Sequence, residues 1–316
     1  MNQRECSFLN KQFTKMNKIL GGFGLLLLFF LLSCGNDTNN TLYVVSDFVP
    51  DSTFTSGVEG PAVDKEGFIY AVNFAEQGTI GKITPDGKAE LFIILPEKSI
   101  GNGIRFDRAG NMYIADYKKH NILKVDMLSR DISVFAHDST MNQPNDVAIS
   151  DDGTLYASDP NWGDNSGKLW KVTITGEFVL LEDSMGTTNG VEVSPYNKKL
   201  YVNESVQRNV WVYDLSDAGE ISNKTLFHKF DDFGMDGMRC DSEGNLYIAR
   251  YGKGSIAILS PKGELIREII LKGKNVTNIA FGGPHGKTCY VTVADRGCLE
   301  TFQVEVAGRA WKMWQE

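Results

Sequence analysis

One short pattern, met six times along the chain, constrains this protein more than anything else in its sequence. Residues 63–73, 106–116, 149–159 and 240–250 share it closely, with Gly67, Gly110, Gly153 and Gly244 at the turn and Tyr70, Tyr113, Tyr156 and Tyr247 three positions later. Residues 193–203 and 281–291 are looser copies with a longer turn between the same two segments. Each copy sets a short apolar segment, a Gly- or Asn-centred turn where positive φ is cheap, and a segment of Tyr and β-branched residues in succession, which predicts a β-hairpin. A second hairpin follows in most copies: Thr79 to Thr84, the turn Pro85-Asp86-Gly87, then Lys88 to Ile94. Trp211 to Tyr213 and Ser255 to Leu259 hold the same place in later copies.

Four short antiparallel strands cannot bury both their faces alone, and radial stacking about an axis is how such sheets cover one another. The fold expected is all-β, a six-bladed β-propeller with four antiparallel strands per blade. Leu42 to Phe48 has no repeat of its own. It is expected to join the last blade and close the ring. No long helical pattern interrupts the strands, so residues 41–316 read as one domain.

The start of the chain reads differently. Lys18 precedes an apolar run over 19–32, too short to span a bilayer comfortably, closed by Leu31-Leu32-Ser33-Cys34. A basic start, a short apolar run and small residues at the cut make a secretory signal over 1–33, with Met16 as an alternative start. Its end resembles a bacterial lipobox, which implies lipidation of Cys34 and a lipoprotein anchored at the bacterial cell envelope. Residues 34–40 are polar and read as a flexible tether. Of the remaining cysteines, Cys240, Cys289 and Cys298 form no disulfide framework; Cys289 and Cys298 are left either as a cross-hairpin pair or as free buried thiols.

The formal charge is −8 and the basic residues are scattered, without the stripe that tracks a phosphate backbone, so nucleic acid is excluded as a partner. A monomer acting on a small molecule is expected instead. The four His residues, His120, His137, His228 and His285, do not pair at zinc-ligand spacing, and no Gly-x-Ser-x-Gly or phosphate-cradling Gly-rich loop is present.

What stands out chemically is a register. Counting back eight positions from each turn Gly, or its equivalent, reaches Glu59, Asn102, Asn145, Asn189, Asp236 and Asn278, an acid or a carboxamide in every copy. Equivalent positions on a propeller stand at one height around the axis, so these oxygens converge on one end of the central channel. Two carboxylates among neutral carboxamides suit a hard divalent ion that takes six to eight oxygens, calcium before magnesium. Local Asx turns are the competing explanation for any one of them.

The motifs Val58-Glu59-Gly60-Pro61, Pro144-Asn145-Asp146, Ser158 to Gly163, Thr188-Asn189-Gly190-Val191, Met235-Asp236-Gly237-Met238 and Asn278 to Gly283 resemble the family of gluconolactonase, senescence marker protein and luciferin-regenerating enzyme. The resemblance implies a six-bladed propeller holding one divalent cation, Ca2+ first, with Zn2+, Mn2+ or Mg2+ as substitutes in vitro. It implies Glu59, Asn145, Asn189 and Asp236 as the metal ligands, and a hydrolase that opens a lactone or related ester. Asp236 is the candidate catalytic base or nucleophile, the two routes being equal at this point. Asn102, Gln143, Trp162 and Asn278 are expected to meet the substrate, and Asp146 to support Asn145 from behind. The sugar lactonases of the family commonly carry an Arg where this chain has Gln143, and the His pair of paraoxonases is not evident. A lipid-anchored, non-catalytic propeller binding a glycan or protein is the alternative, and a phosphotriesterase a further one.

Overall fold

The computed structural model describes residues 42–315. The signal, Cys34 and the tether lie outside the described residues. The chain divides into Met1–Asn40 and Thr41–Glu316, and the second unit carries the fold reported below.

Six four-stranded antiparallel sheets follow one another. The first two blades are β2 (Ala62–Val63), β3 (Ile69–Val72), β4 (Thr79–Ile83), β5 (Ala89–Ile94), and β6 (Gly101–Phe106), β7 (Met112–Asp116), β8 (Asn121–Val125), β9 (Ile132–His137). The third and fourth are β10 (Val147–Ile149), β11 (Leu155–Asn161), β12 (Ser166–Val172), β13 (Phe178–Gly186), and β14 (Thr188–Val193), β15 (Lys199–Glu204), β16 (Asn209–Leu215), β17 (Ile221–Lys229). The fifth is β18 (Met238–Cys240), β19 (Leu246–Arg250), β20 (Ser255–Leu259), β21 (Leu265–Ile270). The sixth takes β22 (Val276–Gly282), β23 (Thr288–Val293) and β24 (Cys298–Gln303) from the end of the chain, and β1 (Ser46–Val49) from its start. Ser46 lies opposite Thr301 and Asp47 opposite Glu300, so the expected closure of the ring by the leading strand is observed.

The repeat signature has a mechanical cause. Gly67, Gly110, Gly153 and Gly244 take φ of 89, 90, 92 and 86°, a left-handed turn conformation that only glycine adopts freely. Asp64 Oδ1 accepts the Phe68 N–H at 2.9 Å, Asp107 Oδ1 the Asn111 N–H at 2.8 Å and Asp241 Oδ1 the Asn245 N–H at 2.9 Å. The Tyr of the repeat returns to the same acid, Tyr70 donating to Asp64 at 2.9 Å.

The core consists of seams between neighbouring blades. Ile80, Ile93 and Leu95 of the first blade pack against Ile104, Ile114 and Leu123 of the second, and comparable clusters fill the other seams, including that between the last blade and the first. Each fully buried Ile, Leu or Val there contributes about 1.5–3 kcal/mol. Cys240, Cys289 and Cys298 are buried and free; Cys298 stands opposite Val293 and Cys289 opposite Phe302, so the last two are not cross-strand neighbours.

One element has no counterpart in the sequence pattern. A short helix, α1 (Arg309–Met313), follows the last blade. Arg309 donates to Ile149 O at 2.9 Å, Asp151 at 2.7 Å and Asn197 at 2.8 Å, while Trp314 packs edge-on against Phe106. The helix lies at the end of the channel remote from the ring residues, over a cavity of about 70 Å3.

Candidate metal centre and active site

The residues at the predicted register stand at the entrance to the innermost strands: Asn102, Asn189 and Asn278 among the first residues of β6, β14 and β22, and Glu59, Asn145 and Asp236 just before β2, β10 and β18. Ladders are bulged at this point in several blades, between Gly101 and Ile104, Thr188 and Val191, and Val276 and Asn278. In two blades on opposite sides of the ring the residue after the ring member bonds across to the next blade: Gly103 N–H donates to Asn145 O at 2.9 Å, and Gly237 N–H to Thr277 O at 2.8 Å. Thr277 therefore stands in the sixth blade where Asn145 stands in the third. This corrects the sixth member of the ring by one residue. The longer turn through Gly283 and Gly286, together with the bulge, had put the count on Asn278.

Glu59, Asn145 and Asn189 are buried and Asp236 is half-buried. Burial, followed by the charge of Asp146, pushes the Glu59 carboxyl up to about 7. Asp236 is raised well above the ordinary carboxylate value by burial first, then by Glu59 and Asp146. Two further acceptors face this crowd: the side-chain oxygens of Asn145 and Asn189 are buried without any hydrogen-bond partner. A buried carbonyl oxygen left unpaired costs roughly 1–3 kcal/mol, and two of them beside two destabilised carboxylates form a set of acceptors lacking a positive charge. The four oxygen donors fit a hard divalent ion. Among the described residues no three His, Cys, Asp or Glu side chains gather, so carboxamides complete the donor set.

A layer of paired charges supports this site from below. Arg105 donates to Asp146 at 3.3 Å, to Ile104 O at 2.9 Å and to Val191 O at 3.4 Å. Arg239 repeats the arrangement three blades away, donating to Asn278 at 3.0 Å, Met238 O at 2.8 Å and Pro61 O at 3.3 Å. The two halves of the ring are thus related by a pseudo-twofold in which Asp146 and Asn278 correspond. Glycine makes room for both: a Cβ on Gly103 would come within 2.7 Å of Asp146 Oδ1, and one on Gly237 within 2.0 Å of Asn278 Cγ. Asn278 is fully buried and donates to Glu59 Oε1 at 3.2 Å, so the structure places it behind a ligand rather than against a substrate. Asp146, also fully buried, lies 3.6 Å from Arg239 and 3.3 Å from Arg105. Burial and the neighbouring Arg105 lower the Arg239 guanidinium to about 10. The signal for this layer was present in the sequence: Arg105 follows Asn102, and Arg239 follows Asp236, by the same three positions.

Above the ring a basin of about 500 Å3 opens to solvent. Glu59, Asn102, Gln143, Asn145 and Trp162 line it, together with Tyr117, Tyr251 and Thr277. Three of the four expected substrate residues thus meet at one mouth. Gln143 is held there through its backbone, whose N–H donates to Asp159 at 2.7 Å. Asp236 is fixed from its own main chain, where Asn203 Nδ2 donates to its carbonyl at 2.6 Å. Tyr117, Tyr251 and Asn203 were not singled out in the sequence, because each stands at the end of a second strand, where the repeat varies freely.

Known proteins resemble the chain over most of this framework. Residues 58–295 match the family described as SMP-30/gluconolactonase/LRE-like region. The chain is 28% identical over 272 residues to a gluconolactonase of Zymomonas mobilis subsp. mobilis, covering 75% of this chain and 76% of that protein. It is 25% identical over 286 residues to the diisopropyl-fluorophosphatase of Loligo vulgaris, covering 80% of this chain and 90% of that one. The crystal structure of a calcium-binding protein, regucalcin, from Agrobacterium tumefaciens shares the fold at a TM-score of 0.73 and 21% identity, over 83% of this chain and 95% of that one.

Proposed function

We propose that this chain, which belongs to the SMP-30/gluconolactonase/LRE-like family, is a calcium-dependent hydrolase that opens a lactone or a related ester. The observation that carries the reading is the pairing of two unpartnered carboxamide oxygens, Asn145 and Asn189, with two carboxyls pushed toward neutrality, Glu59 and Asp236, at the open end of the channel. The gluconolactonase relative and the calcium-binding structural neighbour support it.

Glu59, Asn145, Asn189 and Asp236 would hold the ion. The chemistry supplied on binding it is Lewis-acid polarisation of the ester carbonyl. Asp236, which would be ionised once a cation neutralises the neighbouring acids, would accept the proton of an attacking water at its carboxylate, or attack the carbonyl carbon itself as the ester C–O bond breaks, the leaving alkoxide taking a proton from water and a second water then hydrolysing the resulting anhydride. Asn203, bonded to its carbonyl, and Glu59, braced by Asn278, fix the carboxylates in place before substrate arrives. Asn102, Gln143 and Trp162 line the basin in which the ring of the substrate rests.

Purified protein should hydrolyse at least one member of a panel of aldonolactones, aliphatic lactones and aryl esters, lose that activity in chelator and regain it on adding calcium. Asp236→Asn should abolish turnover with the circular dichroism unchanged. Stabilisation by calcium without turnover of any lactone, ester or phosphotriester would reassign the protein as a non-catalytic binding propeller. Lipidation of Cys34 and a monomer held at the cell envelope complete the proposal. Incorporation of labelled palmitate that Cys34→Ser removes, and a monomeric elution volume for the chain lacking residues 1–34, are the checks.

A further inference from the structure

Tyr117 and Tyr251 occupy the same place in blades three apart, each being the first residue after the second strand, β7 or β19. On a six-bladed ring that puts them on opposite sides of the axis. Four positions after the Tyr of the repeat, where Tyr117 and Tyr251 stand, the other four blades carry Phe74, Pro160, Ser205 and Ala294. Phe74 is engaged with Phe54, their rings 5.5 Å apart. Tyr117 and Tyr251 both line the basin, and Trp162 makes a third aromatic wall; Tyr251 and Trp162 are 41% and 45% exposed.

Apart from Glu59, one of the proposed ion ligands, the polar groups between these walls are neutral. Gln77, Asn102 and Gln143 line the basin with side chains that make no hydrogen bond to the described protein. Among the described residues no Lys, Arg or His lines the basin. Arg250, next to Tyr251, is 1% exposed and bound to Asp232 at 2.8 Å. Lys118 is exposed, its Nζ 5.4 Å from the centre of the Tyr117 ring, outside the lining. A phosphate, sulfonate or carboxylate on the substrate would leave water for neutral amides alone, with no cationic side chain in the lining to pair with it. Neutral amides with aromatic faces suit an uncharged ring instead, its C–H face on the aromatic and its hydroxyls on the amides.

We propose that Tyr117 and Tyr251 determine specificity by gripping an uncharged ring from opposite sides of the mouth, so that neutral lactones are accepted and lactones bearing an anionic substituent are refused. This rests on the lactonase reading above. The test compares D-glucono-1,5-lactone with its 6-phosphate at fixed calcium, and titrates D-gluconolactam calorimetrically as a probe that is not turned over. The expected kcat/KM ratio favours the neutral lactone at least tenfold. Tyr117→Ala and Tyr251→Ala should each weaken lactam binding about tenfold, Tyr251→Phe should keep most of it, and Gln143→Arg should move the ratio at least tenfold toward the phosphate.

Equal or preferred turnover of the phosphorylated lactone overturns the proposal and leaves the lactonase reading standing. So does lactam binding at wild-type strength in both Tyr→Ala variants. Tyrosine-dependent lactam binding without turnover of any lactone keeps the grip and removes the lactonase. Absence of both turnover and binding removes the two together.

Discussion

Replacing Glu59 by Gln should stabilise the metal-free protein at neutral and alkaline pH while destroying its affinity for calcium. The Glu59 carboxyl is held near 7 against an ordinary value of 4.5. Below 4.5 it is protonated in both the folded and the unfolded chain and contributes no pH dependence. Between 4.5 and about 7 the unfolded chain releases its proton first, so stability falls as pH rises, and above 7 the full penalty is present. At 1.36 kcal/mol per unit this amounts to about 3 kcal/mol. Gln removes the charge and can still accept the Asn278 Nδ2–H, but its amide nitrogen cannot also accept the Gly60 N–H now bonded to the carboxylate. That loss offsets about 1 kcal/mol. The expected net effect is therefore a gain of about 2 kcal/mol at pH 8 in chelator and a loss of about 1 kcal/mol at pH 4, where only the missing Gly60 bond counts. Urea denaturation of both proteins with EDTA, at intervals from pH 4 to 8.5, measures it directly. With saturating calcium the order should reverse, because only the wild type gains binding energy. A stability difference in chelator that stays constant across this pH range, or that favours the wild type at pH 8, would refute the account of Glu59 as a strained carboxyl awaiting a cation.

Asn145→Ala and Asn189→Ala each remove an acceptor that has no partner within the protein, so metal-free stability should change by no more than about 1 kcal/mol while calcium affinity, measured by calorimetry, falls at least tenfold. Gly237→Ala drives a methyl into Asn278 and should cost about 1–3 kcal/mol or more in urea denaturation, with calcium binding weakened because Asn278 braces Glu59. Arg309→Ala removes the bonds of α1 to Ile149, Asp151 and Asn197 and leaves Glu192 with one guanidinium fewer, and should lower stability by about 3 kcal/mol without altering calcium affinity.

The blades were readable because their turns are chemically over-determined. A glycine at positive φ recurs in all four close copies, and in the first, second and fifth blades an acid caps the turn; in the third Ser150 stands in its place and Tyr156 bonds Gly219 O instead. Ring residues were readable for the same reason, their distance from the turn being fixed by strand length. Where the turn lengthens, as before β23, that ruler fails, and Asn278 was counted in place of Thr277. Helix α1 left no trace because a helix of one or two turns offers too few residues for a periodic signal, and Trp311 and Trp314 could equally have ended a strand. Tyr117 and Tyr251 escaped because nothing in a single hairpin tells which loop residue leans toward the axis; only closure of the ring brings opposite blades together.

Closure of that ring by β1 also sets an order of events. Ser46 cannot find Thr301 until nearly the whole chain has been made, and contacts this distant in sequence are slow to form. During that wait β24 is an unpaired strand edge, open to pairing with another chain. Asp47 on β1 meets Lys272 at 2.6 Å and Arg296 at 2.8 Å once it docks. Before docking, Arg296 keeps Glu300 at 2.7 Å, but Lys272 is left without Asp47 as a positive charge beside the open edge, which would hinder one unfinished molecule from zipping onto the next.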